Sequence, residues 1–325
     1  MSELHKFLFD GLPVRGMLVR LTDAWTEILR RRASNPTTGA YPQAVCNMLG
    51  EMAAASALMQ ANIKFDGSLV LQIFGDGPVK VAVAEVQPDL ALRATATVVG
   101  PVPHAEGLVQ LVNQGDGGRC AITLDPTAKL PGQQPYQGVV PLRDAQGNPL
   151  SSVGAMLEHY MLQSEQLDTT LVLAANDQIA AGLLIQRLPM QGDANLSGHG
   201  AHASAQDQMG HNEAYNHLAI LARSLKREEL LTLDADTILR RLFWEQRMTR
   251  FAPLHPRFAC TCSRERVGRM IQGLGQDEVE QILQERDTVE VACEFCGLQY
   301  QFDPVDAAQL FLQPGQQQPG SGQTH

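Results

Sequence analysis

The pattern of apolar and polar positions over residues 1 to about 190 predicts strands with interspersed helices. Val14 to Leu21 reads as a strand, and Trp25 to Arg32 as a helix stopped before Pro36. Pro42 opens a helix that runs to about Asn62, as a proline in a first turn can. Ser68 to Phe74 and Val79 to Val86 flank Gly75-Asp-Gly-Pro78 and read as a hairpin. From Leu90 to Val98, Leu, Leu, Ala and Ala alternate with Ala, Arg, Thr and Thr, which predicts another strand. Cys120 to Leu124 is a short apolar strand ended by Asp125-Pro126. Ser151 to Gln166 is helical, with Met156, Tyr160 and Leu167 on one stripe. Thr170 to Ala175 and Ala180 to Arg187 are two further strands. Together these elements predict an α+β domain, a mixed or antiparallel sheet with helices packed on it.

The pattern changes after residue 190. Gly, Ala, Ser, Asn, Gln and His dominate residues 191 to 217, and large apolar residues almost vanish, as in a flexible connector. His199, His202, His211 and His217 are irregularly spaced there and read as solvated side chains rather than metal ligands. Leu218 to Phe251 is amphipathic at helical spacing, with Leu218, Leu221, Leu225, Leu239, Leu242 and Phe243 set among Lys226, Arg227, Glu228, Glu229, Arg240 and Arg241. At rest this is a helix pair packed on the main domain. Its apolar face, with Leu239, Leu242, Phe243 and Trp244, is a candidate surface for unfolded protein if it is uncovered. From 258 the elements become short. Ser263 caps a helix to about Gln272, and a second helix spans about Gln276 to Glu285. Val289 to Ala292 and Leu298 to Phe302 form a strand and its return, and Asp303-Pro304 opens a last helix. Residues 313 to 325 are Gln, Gly and Pro, a tail expected to be disordered. The expected organisation is a core domain over 1–190, a connector and helical linker over 191–257, a cysteine module over 258–312 and the tail.

Composition limits the function. With 325 residues, 44% of them hydrophobic, the chain can bury a sizeable core. The most apolar helical stretch, Val45 to Ile63, is alanine-rich, contains Glu51 and runs into Lys64, so it reads as buried rather than membrane-spanning. The N-terminus lacks the apolar core of a signal peptide, and sparing cysteine use suggests a reducing cytoplasm. The net charge is −10, and residues 258 to 312 carry four arginines against ten aspartates and glutamates. This acidity opposes a nucleic-acid-binding zinc ribbon, the main rival reading. Gly75-Asp-Gly77 and Gly115-Asp-Gly-Gly118 read as turns rather than nucleotide loops. With no nucleophile–base pair marked either, the expectation is a non-enzymatic protein.

The strongest chemical signal is Cys260-Thr-Cys262 followed, after thirty residues, by Cys293-Glu-Phe-Cys296. Two close pairs can bring four sulfurs to one point, as tetrahedral Zn²⁺ requires. A module this small rarely folds without a metal or disulfides, and the compartment disfavours permanent disulfides. The site is therefore expected to bind one zinc, either as an inert staple or as part of a redox switch. The CxC spacing keeps the second option open. Residues i and i+2 of an extended chain lie roughly 6.6 Å apart, so a disulfide there would be strained and easily reduced. A thiol oxidoreductase using Cys293 and Cys296 would need a thioredoxin-like fold, which the pattern does not suggest. Cys46 and Cys120 lie in apolar segments and are expected to be buried outside the site.

At these residues a family resemblance emerges. Phe258-Ala-Cys-Thr-Cys-Ser-Arg-Glu-Arg-Val267, Val291-Ala-Cys-Glu-Phe-Cys296 and Tyr300-Gln-Phe-Asp303 closely resemble the heat shock protein thirty-three family, redox-regulated and ATP-independent holdase chaperones of the bacterial cytoplasm. Ile63-Lys-Phe-Asp-Gly67, Ile122-Thr-Leu-Asp-Pro126, Pro135-Tyr-Gln-Gly-Val-Val-Pro141 and Gln163-Ser-Glu-Gln166 extend the resemblance through the first domain, in the family's order. The polar connector looks longer than the family usually needs, and the glutamine-rich tail looks like an extension; neither touches the cysteines. The resemblance implies a reduced, inactive state in which Cys260, Cys262, Cys293 and Cys296 hold zinc. It implies oxidation to Cys260–Cys262 and Cys293–Cys296 disulfides, with zinc released, the module unfolded and apolar surface exposed. Unfolding client proteins are the expected partners, together with a second copy in a homodimer on oxidation; nucleic acid and membrane are not.

Overall fold

A computed structural model describes residues 1–35, 38–102, 107–128, 134–188 and 212–312. The chain divides into two compact units, Met1–Ala259 and the part from Cys260 onward. The first contains β1 (Glu3–Phe9), β2 (Val14–Leu21), α1 (Asp23–Ala33), α2 (Gln43–Asn62), β3 (Gly67–Phe74), β4 (Val79–Val86), β5 (Ala91–Val98), α3 (Leu108–Val112), β6 (Arg119–Pro126), β7 (Tyr136–Pro141), α4 (Val153–Ser164), β8 (Thr169–Ala175) and β9 (Ala180–Arg187). It continues with α5 (Glu213–Arg223), α6 (Arg227–Thr232), α7 (Ala235–Phe243), β10 (Met248–Arg250) and β11 (Arg257–Phe258). The second unit contains α8 (Arg264–Leu274), α9 (Gln276–Glu285), β12 (Val289–Ala292), β13 (Gln299–Phe302) and α10 (Pro304–Phe311). The architecture is α+β.

Two sheets build the first unit, where the pattern suggested one. A five-stranded antiparallel sheet has the order β10-β1-β2-β9-β8. A six-stranded sheet has the order β11-β5-β4-β3-β6-β7 and is antiparallel except for β11 beside β5. Helix α2 packs against strands of both sheets. That placement explains a helix with no polar face: every residue from Ala44 to Gln60 is buried except Glu51. Small residues let the backbones approach closely. A Cβ on Gly50 would lie 2.4 Å from the Ala175 methyl, and one on Gly182 would lie 3.0 Å from a Leu58 methyl. No described helix is long and apolar enough to cross a membrane.

The five-stranded sheet is buried on both faces. On β2, Met17, Val19 and Leu21 point into the core around α2, while Val14 and Leu18 point into a second core. That second core is closed by Tyr215, Leu218 and Ala222 of α5, Leu230 of α6, and Ile238, Leu239, Leu242 and Phe243 of α7. The linker is thus three short helices seated on a sheet, not a pair. Its helical reading as far as Phe251 is corrected: the helices end at Phe243, a turn follows with Gln246 N–H donating to the Phe243 carbonyl, and β10 pairs with β1 through Phe7↔Arg250 and Phe9↔Met248. The free edge of β1 supplies those partners, which residue spacing cannot report.

Asn212 caps α5 by accepting the Tyr215 N–H at 2.9 Å, so His217 is exposed on a helix rather than in the connector. His199, His202, His211 and the tail from 313 lie outside the described residues. Helix α4 stops at Ser164, two residues early, because Gln166 adopts φ +55° and the Leu167 N–H turns back to the Met161 carbonyl. The two glycine turns meet: the Asp76 carboxylate accepts the N–H groups of Gly115 and Gly117 at 2.9 and 2.7 Å.

Candidate metal and redox centre

The second unit is built around one side-chain cluster. Ser263 caps α8 through a 3.2 Å bond from the Arg266 N–H to its Oγ. From the first turn of α8, the Arg266 guanidinium donates to the carbonyl and hydroxyl of Thr261 at 2.9 and 2.7 Å, pinning the residue between Cys260 and Cys262. The second pair sits in the turn of the β12–β13 hairpin. There Cys293 N–H donates to the Leu298 carbonyl at 2.9 Å and Gly297 N–H to the Cys293 carbonyl at 2.8 Å. Gly297 has φ +73°, a conformation that glycine adopts without strain.

These two anchors bring all four sulfurs within 4.8 Å of one another. Cys260 and Cys293 are 3.6 Å apart, and Cys262 and Cys296 3.4 Å. Four thiolates at about 2.3 Å from one Zn²⁺ have sulfur–sulfur edges of about 3.8 Å, so the cluster has the size and donor set of a closed structural zinc site. Its electrostatics agree. The Cys293 thiol is pushed up chiefly by the neighbouring Cys260 thiol, and burial chiefly pushes Cys296 to about 11. Thiols this crowded resist becoming four bare thiolates, and a dication relieves that resistance.

The thiols have donors ready for negative charge. Cys293 Sγ accepts from the N–H groups of Phe295 and Cys296, and Cys296 Sγ from that of Leu298. Cys262 Sγ accepts from the Tyr300 hydroxyl at 3.2 Å. Tyr300 was not a sequence candidate for the site. Strand alternation places it with Phe302 on the buried face of β13, and it heads the Tyr300-Gln-Phe-Asp303 segment of the resemblance, but neither signal points to a sulfur.

None of the six cysteines forms a disulfide, and Cys46 and Cys120 are buried in the first unit's core. Burial raises their thiols to about 11 and about 12. Among the described residues the four clustered cysteines are the one metal-capable group. The proposed client surface is also brought together, but face down. Leu239, Leu242 and Phe243 are 2%, 6% and 1% exposed, whereas Trp244, just past the end of α7, is 74% exposed. Phe243 stands edge-on to Phe9 at 5.0 Å and tilted to Phe7 at 6.2 Å.

Comparison with known proteins now bears on these features. The family model described as Hsp33 protein matches residues 2–303. This chain belongs to the Hsp33 family. A 33 kDa chaperonin of Chromobacterium violaceum is 47% identical over 310 residues, covering 95% of this chain and 94% of that protein. One from Methylobacillus flagellatus is 40% identical over 311 residues, with 95% and 94% covered. The crystal structure of the Thermotoga maritima Hsp33 homologue superposes with a TM-score of 0.70 at 19% identity, covering 95% of this chain and 97% of that one, a likeness of fold. The two-sheet unit and the cysteine-bearing unit are therefore parts of an Hsp33-family chaperone.

Proposed function

We propose that this chaperone is an ATP-independent holdase switched on by oxidation, working in a reducing cytoplasm without catalytic turnover. The observation that carries the proposal is the four-sulfur cluster inside a unit whose own buried core is seven residues: Val267, Ile271, Val279, Val289, Tyr300, Phe302 and Ala307. When bound by Cys260, Cys262, Cys293 and Cys296, Zn²⁺ would cross-link the CxC segment to the hairpin and supply binding energy on the order of 10 kcal/mol to folding.

The redox step belongs to the cysteines. Two thiolates of a neighbouring pair give two electrons to a peroxide: an S–S bond forms, the O–O bond breaks, and two protons from solvent complete two waters. We assign the pairs as Cys260–Cys262 and Cys293–Cys296, since each closes the smallest loop and needs no ordered unit. A sulfur in a disulfide no longer serves as a thiolate ligand, so the unit loses its cross-link. Backbone ordering costs roughly 1–2 kcal/mol per residue, which so small a core offsets only marginally. Unfolding then reaches the linker. Helices α6 and α7 have six and nine residues, lengths at which a helix depends on docking. Their release would turn Leu239, Leu242 and Phe243 toward unfolding clients. In this division of labour residues 1–190 persist, 191–257 respond and 258–312 sense.

The deciding experiment measures client aggregation with reduced and peroxide-treated protein, released zinc and non-reducing peptide maps in the same samples. Suppression only after oxidation, with zinc released and neighbour pairs formed, is the expected result. Suppression without zinc release, or predominant Cys260–Cys293 cross-pairs, would overturn the mechanism. Sedimentation of the same samples tests whether oxidised chains form the homodimer.

A further inference from the structure

The donor to Cys262 differs in kind from those assigned to the hairpin cysteines. Cys293 and Cys296 accept backbone N–H bonds, which come with the turn itself. Cys262 accepts a bond from a side chain, the Tyr300 hydroxyl at 3.2 Å. The tyrosine has little freedom to leave. It is on β13 opposite Val291, and the residue is 8% exposed within the unit's core. Cys262 packs against the same core, and the hydroxyl meets its sulfur there. Packing alone would be served as well by phenylalanine, the residue two positions further on the same face at Phe302.

We propose that Tyr300 is a positioning residue that sets the oxidant threshold of the Cys260–Cys262 pair. The inference rests on the redox reading above. An O–H donor pointed at a thiolate lowers the energy of the sulfur lone pair, holding Cys262 in place as a ligand and making it a poorer nucleophile. In the step concerned, the Cys262 thiolate attacks a peroxide oxygen. The S–O bond forms as the O–O bond breaks, and hydroxide leaves. The Cys260 thiolate then attacks the sulfenic sulfur, the S–S bond forms, and the second hydroxide leaves. Two protons from solvent complete two waters. The Tyr300 bond must weaken as negative charge leaves Cys262 in the first attack, so it raises that barrier. It makes no direct claim on Cys293 or Cys296.

The test uses full-length wild type and Tyr300→Phe, which keeps the ring and deletes the donor. Reduced protein is exposed to hydrogen peroxide, and thiol loss is followed for each pair by alkylation and peptide mass spectrometry. In parallel, Co²⁺ replaces the native metal and the thiolate-to-cobalt charge-transfer band is recorded before oxidant is added. In Tyr300→Phe, loss of the Cys260 and Cys262 thiols is expected to be about three- to tenfold faster, the rate equivalent of one lost hydrogen bond. The charge-transfer band should move to lower energy, because an unbonded thiolate gives up electron density more readily. A packing role alone would not move that band. An unchanged band with unchanged rates, while wild type binds cobalt and oxidises normally, would overturn the inference and leave the switch standing. Equal acceleration of both pairs with an unchanged band would reduce Tyr300 to a core residue and also overturn it. Wild type that neither binds cobalt through its thiols nor oxidises there would overturn the redox reading itself.

Discussion

Truncating Phe243 tests whether the linker helices are held down by the aromatic cluster beneath them. Phe243 is 1% exposed and meets Phe9 edge-on at 5.0 Å, with Phe7 at 6.2 Å, so Phe243→Ala removes a ring on which both sheet aromatics pack. Burying alanine in place of phenylalanine costs about 3–5 kcal/mol, of which the aromatic contacts account for about 0.5–1.5. If docking of α5, α6 and α7 bears that loss, the undocked population rises roughly 150- to 5,000-fold. Trp244→Ala is the internal control: a neighbour 74% exposed should change stability by less than about 0.5 kcal/mol. Hydrogen exchange on the reduced protein reads both variants. Protection across α5 to α7 should fall steeply in Phe243→Ala and stay near wild type in Trp244→Ala, and reduced Phe243→Ala should suppress client aggregation without oxidant. Protection in Phe243→Ala within about threefold of wild type would refute the reasoning on docking. Loosened helices with no client binding would place the client surface elsewhere.

Replacing Cys260 and Cys262 together by serine should drop bound zinc from one per chain to near none and abolish exchange protection from Cys260 to Leu312, by metal analysis and hydrogen exchange; full zinc retention would sink the ligand assignment. Cys46 and Cys120, buried with thiols raised to about 11 and about 12, should resist iodoacetamide in the native reduced protein and react only on denaturation, and Cys46→Ala should leave redox activation intact. On α1, hydrogen bonds from Arg30 and then Arg31 hold the Glu27 carboxyl down to about 2 from its ordinary 4.5. The folded pKa is depressed, so its stabilising contribution is present above about pH 4.5 and lost as pH falls toward about 2. For a helix-surface cluster the loss is under about 1 kcal/mol. NMR titration of Glu27 should give the low midpoint, and Glu27→Gln should flatten that part of the stability profile.

Legibility along the chain followed burial. Hairpins with one solvated face, such as β3–β4, alternate and were readable, and the cysteine unit was read almost element by element because Ser263, Gly275, Asp303 and Pro304 mark helix ends chemically. Strand β1 was missed because Leu4 faces one core and Phe7 and Phe9 the other, leaving no alternation to detect. Strands β10 and β11, with three and two residues, are too short to carry a period, and α3 has only five. The end of α4 was overrun because a glutamine, not a glycine, takes the left-handed position.

The four-cysteine chemistry is determined by the sequence itself: donor type and spacing are covalent facts, and they restrict the metal and the redox partners before any fold is known. The buried character of α2 is determined in the same way, since a helix apolar all round must be covered on all sides. What only the tertiary structure decided is who does the covering. That α2 lies between two sheets, that α5 to α7 hold Leu239, Leu242 and Phe243 against Phe7 and Phe9 while leaving Trp244 in water, and that the Tyr300 hydroxyl meets Cys262 from 38 residues away all depend on long-range contacts. Periodicity along a chain states which face of an element is apolar. It does not state the partner, because burial is non-directional and any apolar surface of suitable shape satisfies it.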